Sequence, residues 1–199
     1  MLGFPSATEV EQALPKASFY RNLDLDAKTK EQFVSQVGRI VIRNVIRSDT
    51  CNLADGKRVH EVFVIVVAPK EGPVPEAVVR TIMRANQSRM VIVDGVAGTA
   101  WAKGPSGLLR ADGVESLSLR GVDLDEAWDS ILAQLALGEE DGEDVAERIV
   151  RAEQIKALER EIERLDKQCR RDRQVSRKND LFARLRTKRR ELEVLRKGA

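Results

Sequence analysis

Residues 59–69 read VHEVFVIVVAP, and this run of β-branched and aromatic residues is the clearest strand in the chain. Pro75 then stands at the first turn of a predicted helix. Two more strands follow in RMVIVDGV (89–96) and TAWAKG (99–104), joined by a glycine-containing turn as in a hairpin. The order strand, helix, strand, strand is therefore predicted for this part of the chain.

The segments on either side add further predicted helices and strands. Upstream, Asp26 is the predicted N-cap of a helix over residues 27–37. The next segment, RIVIRNVI (39–46), alternates apolar and polar residues with the period of a half-buried strand.

Downstream, VESLSLRG (114–121) predicts another strand, and Asp123 or Asp125 caps a further predicted helix. Strands that follow one another without a helix between them pair antiparallel. We therefore predict an α+β fold, with packing helices on a mixed or mainly antiparallel sheet.

The polar stretch GEEDGED predicts a boundary between two domains. We predict an α+β domain over 1–137, an acidic linker over 138–144, and a basic helical arm over 145–199. Charge separates the same regions. Residues 148–199 contain 18 Lys and Arg against 9 Asp and Glu, whereas the preceding residues carry a net charge of −7. This excess of positive charge permits an anionic partner.

Two apolar seams run along the predicted arm at helical spacing. The first comprises Ile155, Leu158, Ile162, Leu165 and Cys169, and the second comprises Leu181, Leu185, Leu192 and Leu195. The seams are offset by two residues, or roughly 200° at ~100° per residue. A single straight helix would therefore carry them on opposite faces.

Two arrangements explain the offset. In one, the helix breaks near residues 174–176, Ser176 caps a second helix, and the seams pack together as a hairpin. In the other, a continuous coiled-coil helix offers two faces to two partners. We favour the hairpin, because an isolated rod exposes its apolar seam unless a partner covers it.

Several classes of chemistry are excluded by the residues. The chain has no phosphate-binding loop motif, and GVAGTAWAKG (95–104) has the wrong glycine spacing for a dinucleotide site. One histidine and two cysteines cannot make a tetrahedral zinc site. We therefore expect no cofactor and no metal. No apolar run approaches the length of a membrane span, so we expect a cytoplasmic protein without a membrane partner.

One constellation suggests a divergent Mg²⁺-dependent nuclease. Glu61 and Asp94 are the carboxylates that could bind the ion, and Lys103 could stabilise developing charge. Such nucleases usually place an acid two residues before the lysine, and Trp101 occupies that position here. These three residues are better explained as a turn residue and two solvent-exposed strand residues. We therefore keep the nuclease as an alternative and favour a protein without enzymatic activity.

The cations of the arm are the other candidate site. Lys and Arg side chains track nucleic-acid phosphates in many proteins, although docking onto an acidic protein fits the same charge. The candidate nucleic-acid-binding residues are Arg170, Arg171, Arg173, Arg177, Lys178, Arg184, Arg186, Lys188, Arg189 and Arg190. Phe182 is the one aromatic residue among them that could stack on a base.

A resemblance covers nearly the whole chain. It is carried by FPSATEVEQALPKASFY, NLADGKRVHEVFVIVV, TAWAK and RDRQVSRKNDLFARLRTKRRELE, in that order. Together these segments resemble an uncharacterised bacterial family, domain of unknown function 4391. Members are often encoded beside helicases and DNA methyltransferases of restriction and phage-defence systems. The resemblance therefore implies an accessory role in a DNA-targeting machine.

These observations combine into one expectation for function. We expect a non-enzymatic accessory or adaptor protein whose basic arm contacts DNA or a partner. The α+β domain would dock onto a larger helicase, nuclease or methyltransferase subunit. A third alternative is a structural protein that forms a homodimer through a coiled coil. The residues do not distinguish DNA from RNA.

Overall fold

The computed structural model describes residues 2–172 and 174–197. The chain divides into two compact units, Met1–Ala146 and Glu147–Ala199. We call the first the α+β unit. Within the described ranges, none of the helices combines the length and the hydrophobicity needed to cross a bilayer.

Within these ranges, six strands and seven α-helices follow a short 3-10 helix at Ser6–Thr8. They are β1 (Glu9–Leu14), α1 (Lys16–Asn22), α2 (Ala27–Ser35), β2 (Val37–Ile46), α3 (Ser48–Cys51), β3 (Val62–Pro69), α4 (Glu76–Ala85), β4 (Arg89–Asp94), β5 (Ala100–Gly104), β6 (Gly107–Ala111), α5 (Leu124–Leu137), α6 (Val145–Arg171) and α7 (Val175–Lys197).

The six strands form one sheet whose spatial order is the chain order, β1 to β6. The strands β3 and β4 are parallel, and α4 connects them. All other neighbouring strands are antiparallel. The predicted α+β fold with a mixed sheet is confirmed.

The main core lies on one face of this sheet. Phe33 of α2, Ile65 of β3 and Ile92 of β4 belong to one buried cluster, together with residues of α4. Successive strand residues point to opposite faces, so Val64 and Val91 face the other side, where both are fully buried. The helix α5 contacts β5 and β6. The central strands are thus apolar on both faces.

The predicted helix starts are confirmed at two positions. The Asp26 carboxylate accepts a hydrogen bond from the Thr29 amide at the start of α2, and the Asp123 carboxylate accepts one from the Glu126 amide at the start of α5. An oxygen acceptor at this position satisfies an amide that has no partner within the helix. Pro75 was predicted in the first turn of α4 and lies one residue before it, at the N-cap.

The predicted strand at 114–121 is wrong. Its backbone bonds go to scattered partners, with the Val114 amide donating to the Gly98 carbonyl and the Leu117 amide to the Leu2 carbonyl. The Ser118 amide donates to the side chain of Gln134. Leu117 is buried, but no neighbouring strand supplies a hydrogen-bond ladder for this segment.

Two strands were not predicted, and each forms an edge of the sheet. Almost every residue of β1 is exposed, so its sequence carries no apolar alternation. The strand β6 follows β5 through the tight turn between Gly104 and Gly107. Both strands are defined by backbone pairing with a neighbour, and of their residues only Leu109 is buried.

The carboxylate of Asp125 organises the loop before β3. It accepts hydrogen bonds from the backbone amides of Lys57, Arg58 and Val59, at 2.8 to 3.2 Å. A side chain at Gly56 would collide with this carboxylate, because an added Cβ would lie 2.5 Å from Oδ1. The loop and the first turn of α5 are therefore held together by one acidic residue.

The segment 138–144 forms hydrogen bonds with the rest of the α+β unit. The Ser130 hydroxyl donates to the backbone carbonyl of Glu140 at 2.6 Å. The Glu140 carboxylate in turn accepts from the Ser118 hydroxyl and the Arg120 guanidinium. This acidic segment is thus fixed by defined contacts before α6 begins at Val145.

We expect Asp125→Asn to lower the free energy of unfolding of the α+β unit by about 1–3 kcal/mol. The substitution replaces one acceptor oxygen by an NH₂ group that faces backbone donors. Trp101 and Trp128 both lie in this unit, so urea unfolding followed by tryptophan fluorescence measures it. Asp55→Asn, which alters an exposed pair with His60, should change the value by less than about 0.5 kcal/mol. Equal effects of the two substitutions would contradict this role of Asp125.

The same interaction should depend on pH. Burial of the Asp125 carboxylate raises its pKa, but the bonds from Arg58, Val59 and Lys57 outweigh burial and hold the pKa below its usual value. A lowered pKa stabilises the folded state above the unfolded value of about 3.9, and this stabilisation is lost as the pH falls through the folded value. The stability difference between the native protein and Asp125→Asn should therefore shrink below about pH 4. A difference independent of pH would contradict the assignment.

Candidate nucleic-acid interface

The helices α6 and α7 pack as a hairpin, which confirms the favoured arrangement. Leu165 and Cys169 of α6 form a buried cluster with Leu181 and Leu185 of α7. The two out-of-phase seams of the sequence therefore face each other across the hairpin. Because each seam covers the other, the hairpin does not need a second chain to bury these residues.

Asp172 forms the bend between the two helices. Its carboxylate accepts a hydrogen bond from the Gln174 amide at 2.9 Å and lies 3.3 Å from the Arg177 guanidinium. The predicted break near 174–176 is displaced toward the N-terminus, since α7 already begins at Val175. The predicted cap is wrong, because Ser176 lies inside the first turn of α7. The candidate Arg173 lies outside the described residues.

Ion pairs join the two helices away from the bend. Arg196 contacts Glu159 at 2.6 Å, and Lys188 lies 3.5 Å from Glu161. The hydrogen bond from Lys188 to Glu191, helped by Glu161, raises the pKa of the lysine. The guanidinium of Arg151 donates to the carbonyl of Leu195 at 2.5 and 2.8 Å. These charged side chains in this part of the hairpin are therefore bonded to partners in the same chain.

Several of the candidate cations are also paired within the hairpin. Arg170 contacts Asp166 at 2.6 Å, and Arg189 lies 4.0 Å from the same aspartate. Arg177 is paired with Asp172, and Lys188 with two glutamates. These residues have carboxylate neighbours that partly neutralise them. The other candidates make no ion pair with any described residue: Arg171, Lys178, Arg184, Arg186 and Arg190.

Four arginines surround a cleft of about 640 Å³ beside the bend, which we call the arginine cleft. Arg164 and Arg171 line it from α6, and Arg177 and Arg184 line it from α7. Each pair is seven residues apart, which places its members on the same side of their helix and about 10.5 Å apart along the axis. Gln168, Asp172, Asp180 and the buried Leu165 and Leu181 complete the lining.

Arg164 was not among the predicted site residues. It makes no ion pair with any residue that the structure describes. A signal for it was present in the sequence, because Arg164 precedes Arg171 by two helical turns. Arg164 lies near Arg184 only because α6 packs against α7. The spacing of residues within one helix does not predict this packing.

The remaining unpaired candidates lie on another face of α7. Lys178, Phe182, Arg186 and Arg190 follow one another at intervals of four residues and so form one stripe along the helix, which we call the outer stripe. Phe182 is 49% exposed. Arg184 is two residues from Phe182, a rotation of roughly 200° around the helix. The cleft and the outer stripe are therefore separate surfaces.

The three residues of the nuclease alternative do not come together. In the parallel pair of β3 and β4, Val62 is level with Arg89 and Val67 with Asp94. Glu61 precedes this pairing and Asp94 ends it, so about six residues at ~3.3 Å each, or roughly 20 Å, separate their positions along the sheet. Two carboxylates at that separation cannot bind one ion. The proposed nuclease constellation is therefore not formed.

Each of these three residues has other contacts. The buried Asp94 carboxylate accepts hydrogen bonds from the amides of Val74, Val96 and Ala97, and so fixes the loops at the end of β4. The Glu61 carboxylate accepts from the Ser88 hydroxyl at 2.9 Å. Lys103 lines a pocket to which neither Glu61 nor Asp94 contributes. In the described ranges, no three His, Cys, Asp or Glu side chains are grouped so that they could hold a metal ion.

The fold and this surface define a two-part protein, an α+β unit followed by a basic helical hairpin. The sequence profile of the family described as "Domain of unknown function (DUF4391)" matches residues 2–95 and 87–192. These two overlapping segments span nearly all of the chain, which belongs to this family. Comparison with curated proteins and with solved structures gave no match.

We expect Leu165→Ala to destabilise the hairpin by about 2–5 kcal/mol, because it opens a cavity in the seam. Native-state hydrogen exchange of peptides from α6 and α7 measures this effect in the full chain. Phe182→Ala is the matched control, since its side chain is half exposed and should change protection by less than about 0.5 kcal/mol. Unchanged exchange in Leu165→Ala would show that the seam does not hold the hairpin together.

Proposed function

We propose that this protein is a non-enzymatic accessory protein that contacts the phosphate backbone of nucleic acid through its arginine cleft. One observation carries the proposal. Arg164, Arg171 and Arg184 converge on one cleft from two helices, and none of them is paired with a carboxylate of the described chain. Lys167, Lys188 and Arg196 of the hairpin lie in contact with acids instead, and the unpaired cations of the outer stripe are not in the lining of this cleft.

Electrostatics favours an anionic ligand at this position. The lining contains four arginines and two aspartates, and Asp172 is already paired with Arg177. Like charges repel one another in the absence of a ligand, and a polyanion removes that repulsion while adding attraction. The fixed fork of a guanidinium also matches the oxygens of a phosphate group.

The geometry favours backbone contacts over base contacts. Arginines from two helices flank a cleft rather than projecting from a single helix that could enter a groove. Contacts to phosphates position a protein on nucleic acid but carry no sequence information. The proposed binding therefore has little sequence preference and depends steeply on salt.

The rest of the proposal concerns the assembly. The α+β unit would dock onto a larger helicase, nuclease or methyltransferase subunit, and the hairpin would bind the nucleic acid. A restriction or phage-defence setting is supported by the family resemblance. Affinity purification of the tagged protein from its native host, followed by mass spectrometry, tests this part. Recovery of a helicase or methyltransferase would support the adaptor, whereas a dimer of this chain alone would favour the structural alternative.

We expect the triple substitution Arg164→Gln, Arg171→Gln and Arg184→Gln to remove most of the affinity for duplex DNA. Glutamine retains helix propensity while three charges are lost. The slope of log affinity against log salt should decrease by ~0.9 for each phosphate contact removed. Fluorescence anisotropy with a labelled duplex at salt concentrations between roughly 50 and 200 mM measures both quantities, and three phosphate contacts change affinity by about 40-fold over this range.

The outer stripe provides a control of equal charge. Lys178→Gln, Arg186→Gln and Arg190→Gln also remove three unpaired cations from the same hairpin. This variant should retain most of the affinity. Equal losses in both variants would show that binding follows net charge rather than the cleft. Absence of DNA binding by the unmodified protein at low salt would overturn the proposed function itself.

A further inference from the structure

A second cationic pocket lies in the α+β unit, far along the sequence from the hairpin. It has a volume of about 600 Å³ and adjoins the last turn of α4 and the first residues of β4. Met83, Met90 and Leu108 form its apolar wall and extend the main core cluster to the surface. The volume lies within the range of small-molecule sites, about 300–1,000 Å³.

The charge of this pocket is unusual for the unit that contains it. Arg80, Arg84, Arg89 and Lys103 line it, and none of the described residues in its lining is an acid. Residues 1–147 together carry a net charge of −7. Four cations are therefore gathered in one place on an otherwise acidic unit.

Contacts within the chain account for only part of this charge. Arg80 is paired with Glu76 at 2.6 Å, and the Arg89 guanidinium lies 5.9 Å from the ring centroid of Trp128. Arg84 lies in the last turn of α4. The helix dipole at this C-terminal end is equivalent to about half a negative charge, which offsets part of the positive charge of Arg84. Arg84 and Lys103 make no ion pair with any described residue.

The backbone register explains why Lys103 points into this pocket. Trp101 belongs to the main core cluster, and Lys103 follows it by two residues, so both side chains lie on the same face of β5. Lys103 is also level with Leu108 on β6. The lysine therefore extends from the edge of an apolar wall, beside the carboxyl end of α4.

We propose that this pocket binds a nucleoside phosphate. The phosphate lies against Lys103 and Arg84, and the base packs on the apolar wall of Met83, Met90 and Leu108. The Arg89 guanidinium, held over Trp128, provides a further planar group of the kind on which bases stack.

Polar groups suited to the edge of a base are also present. The side-chain amides of Asn86 and Gln87 line the same pocket and offer both donors and acceptors. An apolar wall with a few convergent polar and cationic groups is the usual composition of a small-molecule site. The inference does not depend on the proposed function of the hairpin, because no residue is shared between the two sites.

Isothermal titration calorimetry with AMP and GMP tests the proposal, with adenosine and inorganic phosphate titrated in parallel. The protein used carries the Arg164→Gln, Arg171→Gln and Arg184→Gln substitutions, so that the hairpin cleft does not contribute. We expect saturable binding of at least one nucleotide, at least about tenfold tighter than either adenosine or phosphate. No saturable binding of either nucleotide would overturn the proposal. Phosphate binding as tight as that of both nucleotides would also overturn it, since the site would then be a simple anion site.

Two variants locate the binding. Lys103→Met in the same protein should weaken nucleotide binding at least about tenfold, because it removes the charge and keeps an apolar chain of similar length. Lys30→Gln removes an exposed cation of α2 and should leave binding unchanged. The melting temperature of each variant shows whether it is folded. Unchanged nucleotide affinity in a folded Lys103→Met variant would place the binding elsewhere and refute the assignment.

Discussion

The parallel pairing of β3 with β4 is the constraint on which the α+β unit depends. Two parallel strands need a crossover connection, and α4 supplies it while covering the apolar face that the two strands share. Both strands are buried on both faces, so they can only lie in the middle of the sheet. The antiparallel strands β2 and β5 then add on either side, and the exposed β1 and the short β6 complete the edges.

Two carboxylates in this unit, the buried Asp94 and the partly exposed Asp125, show how an acidic residue can be structural. Asp94 accepts three backbone amides, and Asp125 accepts three others in a different loop. A carboxylate that accepts three amide donors has few free lone pairs for a metal ion. Both residues hold loops in place, so an acid at the end of a strand is weak evidence for catalysis unless its hydrogen-bond partners are known.

In the hairpin, the residues that supply stability differ from those that supply positive charge. Its apolar seam, centred on Leu165 and Leu181, supplies the burial that keeps the two helices together. Exposed ion pairs contribute little to stability individually, typically ~0.2–1 kcal/mol. The unpaired arginines at the cleft can therefore contact a ligand without destabilising the hairpin, because they do not contribute to its apolar seam. This division explains how a strongly basic surface is compatible with an ordered helical pair.

The sequence alone determined β3, the hairpin of β4 and β5 and the N-cap Asp26; it limited the N-cap of α5 to Asp123 or Asp125, and it favoured a hairpin of α6 and α7 over one continuous helix. Each of these follows from local periodicity or from the offset between two seams. Only the tertiary structure decided the pairing of the edge strands, the wide separation of Glu61 from Asp94, and the meeting of Arg164 with Arg184. These depend on which residues become neighbours across two elements, and the periodicity of one helix or strand describes its own faces but not what packs against them.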